Sequence, residues 1–145
     1  MRRAAALGLV LAALAAPPAA AESPHVLYML HCQGCHLPDG SGSPGAVPAL
    51  RGEVARFLAV PGGREFLVRV PGAATAPLGD ADLAAVLNWI VARFGPAAEA
   101  AAADPYTASE VGRLRREPLV DVAGARAVLV GRLGSVPDAG LGRNP

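Results

Sequence analysis

The sequence predicts an all-α protein, and three observations carry that expectation. Leu83, Val86, Leu87, Ile90 and Phe94 recur at i, i+3, i+4, i+7 and i+11, the spacing of one helix face. Ser23-Pro24 forms a helix start, with Ser as N-cap and Pro at the first helical position, followed by Val26, Leu27 and Leu30. No convincing period-2 strand and no internal repeat is visible, and 145 residues make one domain's worth of chain.

The chain opens on Arg2 and Arg3 followed by an uncharged Ala/Leu-rich run from Ala4 to Ala16. That run is about 13 residues, shorter than the roughly 20 needed to span a bilayer, so it reads as a signal peptide rather than a span. Pro17-Pro18 and Ala19-Ala20-Ala21 supply the small-residue context for cleavage after Ala21, with an uncleaved anchor as the competing reading. Removing residues 1–21 changes the formal charge from +1 to −1, because two arginines and no acids leave. The remaining arginines are scattered and lysine is absent, so there is no electrostatic footprint for nucleic acid. Docking to a partner must then rest on apolar contact and scattered arginine.

The first helix should run from Pro24 to about Cys32. Pro38, Gly40, Gly42, Pro44, Gly45 and Pro48 then make a loop, since so many breakers exclude a helix or a central strand. Residues 51–58 and 64–69 are expected as short helices, separated by Pro61-Gly62-Gly63 and closed by Pro71-Gly72. Asp80 is expected to cap the long helix, whose end is marked by Gly95-Pro96. Residues 97–104 are Ala/Glu-rich and read as a helical extension or a linker. Thr107-Ala108-Ser109-Glu110 has capping-box form before Val111 and Leu114, and Asp121 opens a second apolar segment through Val122, Ala125, Val128, Leu129 and Leu133. The expected organisation is therefore a signal peptide at 1–21, a main domain at 22–96, a helical extension at 97–134 and a disordered tail at 135–145. Val111, Leu114, Leu119, Val122, Val128 and Leu129 are too many apolar residues to leave in water, so the extension should pack against the domain.

Both cysteines fall in Cys32-Gln33-Gly34-Cys35-His36, the C-x-x-C-H pattern of covalent c-type haem attachment. Two thiols at this spacing can reach the two vinyl groups of one haem, and the following His is held under the iron as an axial ligand. Three blander readings compete. A thioredoxin-like redox pair wants a βαβ context, whereas this pair follows a short helix and precedes a Gly/Pro loop. A zinc site needs four ligands, and His31, Cys32, Cys35 and His36 are crowded together without a distant second pair. A structural disulfide across two residues removes little chain entropy and stabilises little.

From Ser23 to Gly95 the sequence resembles the class I c-type cytochromes. Tyr28, four residues before Cys32, matches the aromatic on the family's N-terminal helix, and the Leu83–Phe94 stretch with Trp89 resembles the C-terminal helix that crosses it. Leu37-Pro38-Asp39-Gly40-Ser41-Gly42 is similar to the Gly-rich turn after the haem His, and Pro48-Ala49-Leu50 matches the family's Pro-x-Leu. The resemblance implies cytochrome c-like helices around one covalently bound haem c, with thioethers at Cys32 and Cys35 and His36 as proximal iron ligand. It also implies that the Pro48 carbonyl accepts a hydrogen bond from that ligand and that Leu50 packs on the ring. A haem disc for two crossed helices to pack around would explain how a chain with only six aromatic residues forms a core.

The pattern breaks at the sixth ligand, which in this family is commonly a Met before the last helix. After residue 21 the sole Met is Met29, on the N-terminal helix, while the expected segment reads Arg69-Val70-Pro71-Gly72-Ala73-Ala74-Thr75-Ala76-Pro77-Leu78. Neither Val70 nor Ala76, which precede its prolines, can bind iron. His25, His31 and Asn88 remain as candidates, each with a blander role: a solvated helix start, a neighbour of the attachment motif, and a helix-face polar group. The leading expectation is a five-coordinate haem or one capped by water, with Arg69 as the nearby cation to consider, ordinarily a surface residue. Functionally the sequence points to a soluble periplasmic electron carrier rather than an enzyme, exchanging single electrons with a partner such as a dehydrogenase or oxidase. The alternatives are a ligand-binding or peroxidase-like haem protein and a non-haem binding module with a merely structural Cys pair.

Overall fold

The computed structural model describes residues 21–135. All but the last residue of the expected signal peptide, and all but the first of the expected tail, lie outside the described residues. Eight α-helices and one 3-10 helix follow in chain order among them: α1 (Pro24–His31), α2 (Gln33–His36), the 3-10 helix (Val54–Ala59), α3 (Gly63–Arg69), α4 (Pro71–Ala74), α5 (Asp80–Phe94), α6 (Ala97–Ala102), α7 (Ala108–Leu114) and α8 (Val122–Gly134). The single β feature among the described residues is an isolated bridge between Ser43 and Val47. The all-α expectation holds.

Side-chain caps set three of the helix starts. Ser23 accepts the Val26 N–H at 3.3 Å with Pro24 at the first position of α1. Thr107 accepts the Glu110 N–H at 3.2 Å, and Asp121 accepts the Gly124 N–H at 2.8 Å. Asp80, expected as a cap, is instead the first residue of α5. Gly79 occupies the cap in an extended conformation, and the Asp80 carboxylate pairs with Arg115 at 3.2 Å. In the first turn that negative charge still favours the helix dipole. The helix expected over 51–58 is the 3-10 helix at Val54–Ala59, and Pro71, read as a breaker, begins α4, because proline's fixed φ suits a first helical position.

α1 crosses α5, and this contact builds the core. Tyr28 is fully buried, with its ring centroid 5.3 Å from Phe94 and 5.2 Å from Trp89, and Trp89 meets Phe94 edge-on at 5.6 Å. Three large rings thus interlock where the two helices meet, in the tilted and edge-to-face arrangements that aromatic quadrupoles prefer. Gly40 approaches this cluster at positive φ, where a Cβ would collide with the Phe94 ring, so the loop after α2 can lie against α5 only with glycine there.

The segment after α5 wraps back over the domain. α7 packs on α5 and α3, and its Val111 is fully buried in the main core. α8 packs on the 3-10 helix and α3, placing Leu129 with Phe57, Val60 and Phe66 in a second cluster. Leu114, Leu119 and Val122 are partly buried against these clusters, whereas Val128 is 55% exposed. Three arginine contacts tie the extension down. Arg64 holds Glu110 at 2.5 and 2.7 Å and the Asp104 and Pro105 carbonyls; Arg69 donates to the Glu117 carbonyl at 2.7 Å; and Arg115 donates to the carbonyls of Ala74, Leu78 and Ala76 at 3.0, 2.7 and 2.6 Å.

Candidate functional site

A cleft of about 390 Å³ opens between the α1–α2 turn, the 46–50 loop, the 3-10 helix, α3–α4, α5 and α8. Its volume falls in the range of small-molecule and cofactor sites. The walls are overwhelmingly aliphatic and aromatic, with Leu83, Val86, Leu87, Ile90 and Val91 forming one long side from α5. No carboxylate lines it among the described residues, and its polar groups are His31, Cys32, Cys35, His36, Tyr106 and Arg126.

The α1–α2 turn brings the motif to one end of this cleft. The Cys35 and His36 N–H groups bond back to the Cys32 carbonyl at 3.2 and 3.0 Å, so the five motif residues make one tight turn. Both cysteines are free thiols, Cys32 partly buried and Cys35 exposed. Burial, helped by the neighbouring Cys35, pushes the Cys32 thiol up from its ordinary pKa. Burial likewise lowers the His36 pKa, and the Pro48 backbone raises it by less, so the ring is held neutral with a lone pair to give. Its Nδ1 is buried and has no partner of hydrogen-bond geometry among the described residues. The Pro48 backbone is thus beside His36, as the resemblance implies, without an aligned hydrogen bond between them.

Leu37, immediately after the ligand candidate, has φ 62° and ψ 161°, a region that side chains rarely tolerate. Two bonds hold it there: its N–H donates to Gln33 at 2.8 Å, and its carbonyl accepts the buried Tyr28 hydroxyl at 2.6 Å. The chain therefore turns sharply out of α2 at the site, secured by the same tyrosine that anchors the α1–α5 crossing. Pro48 and Leu50 both line the cleft, on a loop fastened by the Leu50 N–H to the Gly40 carbonyl at 2.8 Å and by the Ser43–Val47 bridge.

The candidates for a sixth ligand are dispersed. Met29 lies 49% exposed on the outside of α1, and His25 stacks on Trp89 at 5.3 Å. Asn88 spends both ends of its amide on Tyr106, accepting its N–H at 2.7 Å and donating to its carbonyl at 3.0 Å. His31 reaches the cleft, but from the residue next to Cys32. Arg69 is turned toward Glu117 rather than into the cleft, so it is a tether for the extension. Val70, Pro71, Gly72, Ala73 and Ala76 line the cleft where the resemblance expects the distal Met.

Tyr106 and Arg126 also line the cleft, and neither is among the site residues expected from the sequence. For Arg126 a signal was present: Val122, Arg126, Leu129 and Leu133 lie at i, i+4, i+7 and i+11, which sets the arginine on the inward stripe of α8. The described residues contain no group of three or more His, Cys, Asp or Glu placed to hold a metal ion, and no βαβ unit frames the cysteines.

A helical shell around an apolar cleft, with two free thiols and a half-buried imidazole at one end, is the architecture of a protein that houses a flat apolar prosthetic group. The residues present fit a haem: the disc matches the aliphatic walls, and the neutral His36 ring opens onto the same cleft as both thiols. No family profile matches the chain. Two curated relatives do, both of them a cytochrome c-552 of Thermus thermophilus. Each is 40% identical over 106 residues, covering 61% of this chain and 81% and 72% of the respective relative. This chain belongs to the class I c-type cytochromes, which carry covalently attached haem c and act as electron carriers. An alignment of 106 positions that occupies 61% of a 145-residue chain contains gaps on this side, so the relatives carry residues with no counterpart here.

Proposed function

We propose that this chain is an exported mono-haem cytochrome that passes single electrons to and from a periplasmic redox partner, such as a dehydrogenase or oxidase. Residues 1–21 serve as the signal peptide, 22–96 as the cytochrome domain, 97–134 as a helical extension and 135–145 as a tail. No described helix is long and apolar enough to cross a membrane. The observation that carries the reading is the opening of both thiols and the His36 ring of one turn onto an apolar cleft of cofactor size.

Cys32 and Cys35 hold the haem through thioethers, and His36 supplies the proximal ligand from its neutral ring. Pro48, whose backbone lies beside that ring, would orient it, and Leu50 would pack against the macrocycle. Bound haem c supplies the one-electron Fe(III)/Fe(II) couple. The chain's part is to keep that couple in an apolar wall and to present its edge. Met29, Leu30 and Leu37 are exposed apolar residues close to the motif in the chain, and they offer the apolar surface on which a partner docks. Cys32→Ser and Cys35→Ser variants should each lose covalent haem. A fully loaded double variant would contradict the assignment.

A second reading, a haem open to exogenous ligands, is favoured by the placement of Met29, His25 and Asn88 away from the cleft. Visible spectra of the reduced protein before and after carbon monoxide separate the two. A high-spin spectrum that shifts with carbon monoxide supports an open position; a sharp low-spin spectrum that does not move supports a strongly ligated electron carrier.

A further inference from the structure

We propose that Arg126, contributed by the C-terminal helix α8, is a binding residue for a haem carboxylate, so that the extension completes the cofactor site. The proposal rests on the assignment of haem to this cleft. Four observations carry it. Arg126 lines the cleft together with Val122, one turn earlier on the same face of α8. It is held there by the burial of Leu129 against Phe57, Val60 and Phe66, which fixes the face that α8 turns inward. Its guanidinium carbon lies 5.8 Å from the centroid of the Phe57 ring, and Phe57, stacked on Phe66 at 5.5 Å, is itself a wall of the cleft.

The fourth observation concerns charge. Arg51, Arg56, Arg64, Arg69 and Arg115 each form an ion pair. Arg126 is half-buried and has neither an ion pair nor a hydrogen bond among the described residues. It is also the only permanently charged group lining the cleft among them, where no Asp or Glu is present. A cation in an apolar wall without a counter-ion is costly unless the occupant brings one. A haem is apolar over its disc and acidic only at its two carboxylates, and the planar guanidinium fork matches a carboxylate two bonds at a time. The cleft therefore contains the one charge that its occupant lacks.

A cation paired with that carboxylate favours the ferrous state, because it offsets a negative charge close to the iron. The test is an equilibrium redox titration of the purified holoprotein and of Arg126→Met, Arg126→Lys and Arg126→Glu variants, with haem loading quantified for each. At a fixed applied potential Arg126→Met should lower the Fe(II)/Fe(III) ratio by roughly threefold or more. Arg126→Glu should lower it further, and Arg126→Lys should restore most of the wild-type value. If Arg126 acts only by packing its stem on Phe57, the methionine variant matches wild type, and that result overturns the proposal. Should Arg126→Met fail to fold, an unchanged ratio in Arg126→Glu overturns it equally. A wild-type protein without covalent haem overturns the haem assignment, and the proposal with it, before any variant is compared.

Discussion

Arg115 offers the sharpest test of how the extension is joined to the cytochrome domain. Leaving the end of α7, it donates to the carbonyls of Ala74, Ala76 and Leu78 at 3.0, 2.6 and 2.7 Å and to the Asp80 carboxylate at 3.2 Å, with 16% of its side chain exposed. Those carbonyls belong to the end of α4 and the link from it to α5, where Ala73 and Ala76 line the cleft. A charged donor contributes about 1.5–3 kcal/mol per hydrogen bond, and three acceptors on one guanidinium are not additive. Partial access of water to the freed carbonyls reduces the cost further, so Arg115→Ala should destabilise by about 3 kcal/mol, a fall in Tm of about 10 °C for a chain of this size. Guanidinium denaturation of the holoprotein followed by far-UV circular dichroism should show a lower midpoint with an unchanged slope. Arg113, on the same helix but exposed, is the control, and its alanine variant should change stability by less than about 0.5 kcal/mol. Equal effects from the two substitutions would refute the idea that Arg115 pins this link.

Three further outcomes are expected. Gly95→Ala should cost about 1–3 kcal/mol, because a Cβ there would collide with Ala55 and with the Val91 carbonyl; an unchanged melting temperature would show that the close approach is not real. Tyr28→Phe should cost about 1 kcal/mol by removing the hydroxyl bond to Leu37, and an unchanged denaturation midpoint would deny that bond a role; burial, with Cys32 and Asp39 nearby, pushes the Tyr28 pKa up to about 12, so the group stays a donor through the neutral range. The hydrogen bond from Arg64 holds the Glu110 carboxyl below its ordinary value of 4.5, so the pair's stabilisation is complete above that pH and is lost as pH falls through the depressed value. Denaturation midpoints between pH 6 and pH 3 should therefore fall more steeply for wild type than for Glu110→Gln, and parallel curves would deny the pair a role.

What was legible in the sequence was local. Ser23, Thr107 and Asp121 cap their helices because a short polar side chain needs only the N–H three residues on. Cys32, Cys35 and His36, the proposed haem-holding residues, come together because they fall in one turn, and the periodicity of α5 matches its buried face. Asp80 shows where local reading stops: its cap position went to Gly79 because Arg115, 35 residues later, offered the carboxylate a cation. Arg64 reaching Glu110 across 46 residues and Arg69 reaching Glu117 across 48 follow the same rule, since nothing near an arginine in the chain names its partner. Val128 was expected inside because it is apolar, yet it falls between the inward positions 122, 126, 129 and 133 of α8 and stays exposed. Arg126 sits on that inward stripe while being charged, the kind of local inconsistency that marks a functional position.

The most direct test of the account is mass spectrometry of a tryptic digest of the purified, exported protein. With no lysine in the chain, the first mature peptide should run from residue 22 to Arg51 and contain the whole attachment motif. This peptide should begin at Glu22 and carry one haem, with neither Cys32 nor Cys35 available to alkylating reagent. A haem-free peptide with both thiols alkylated would contradict it.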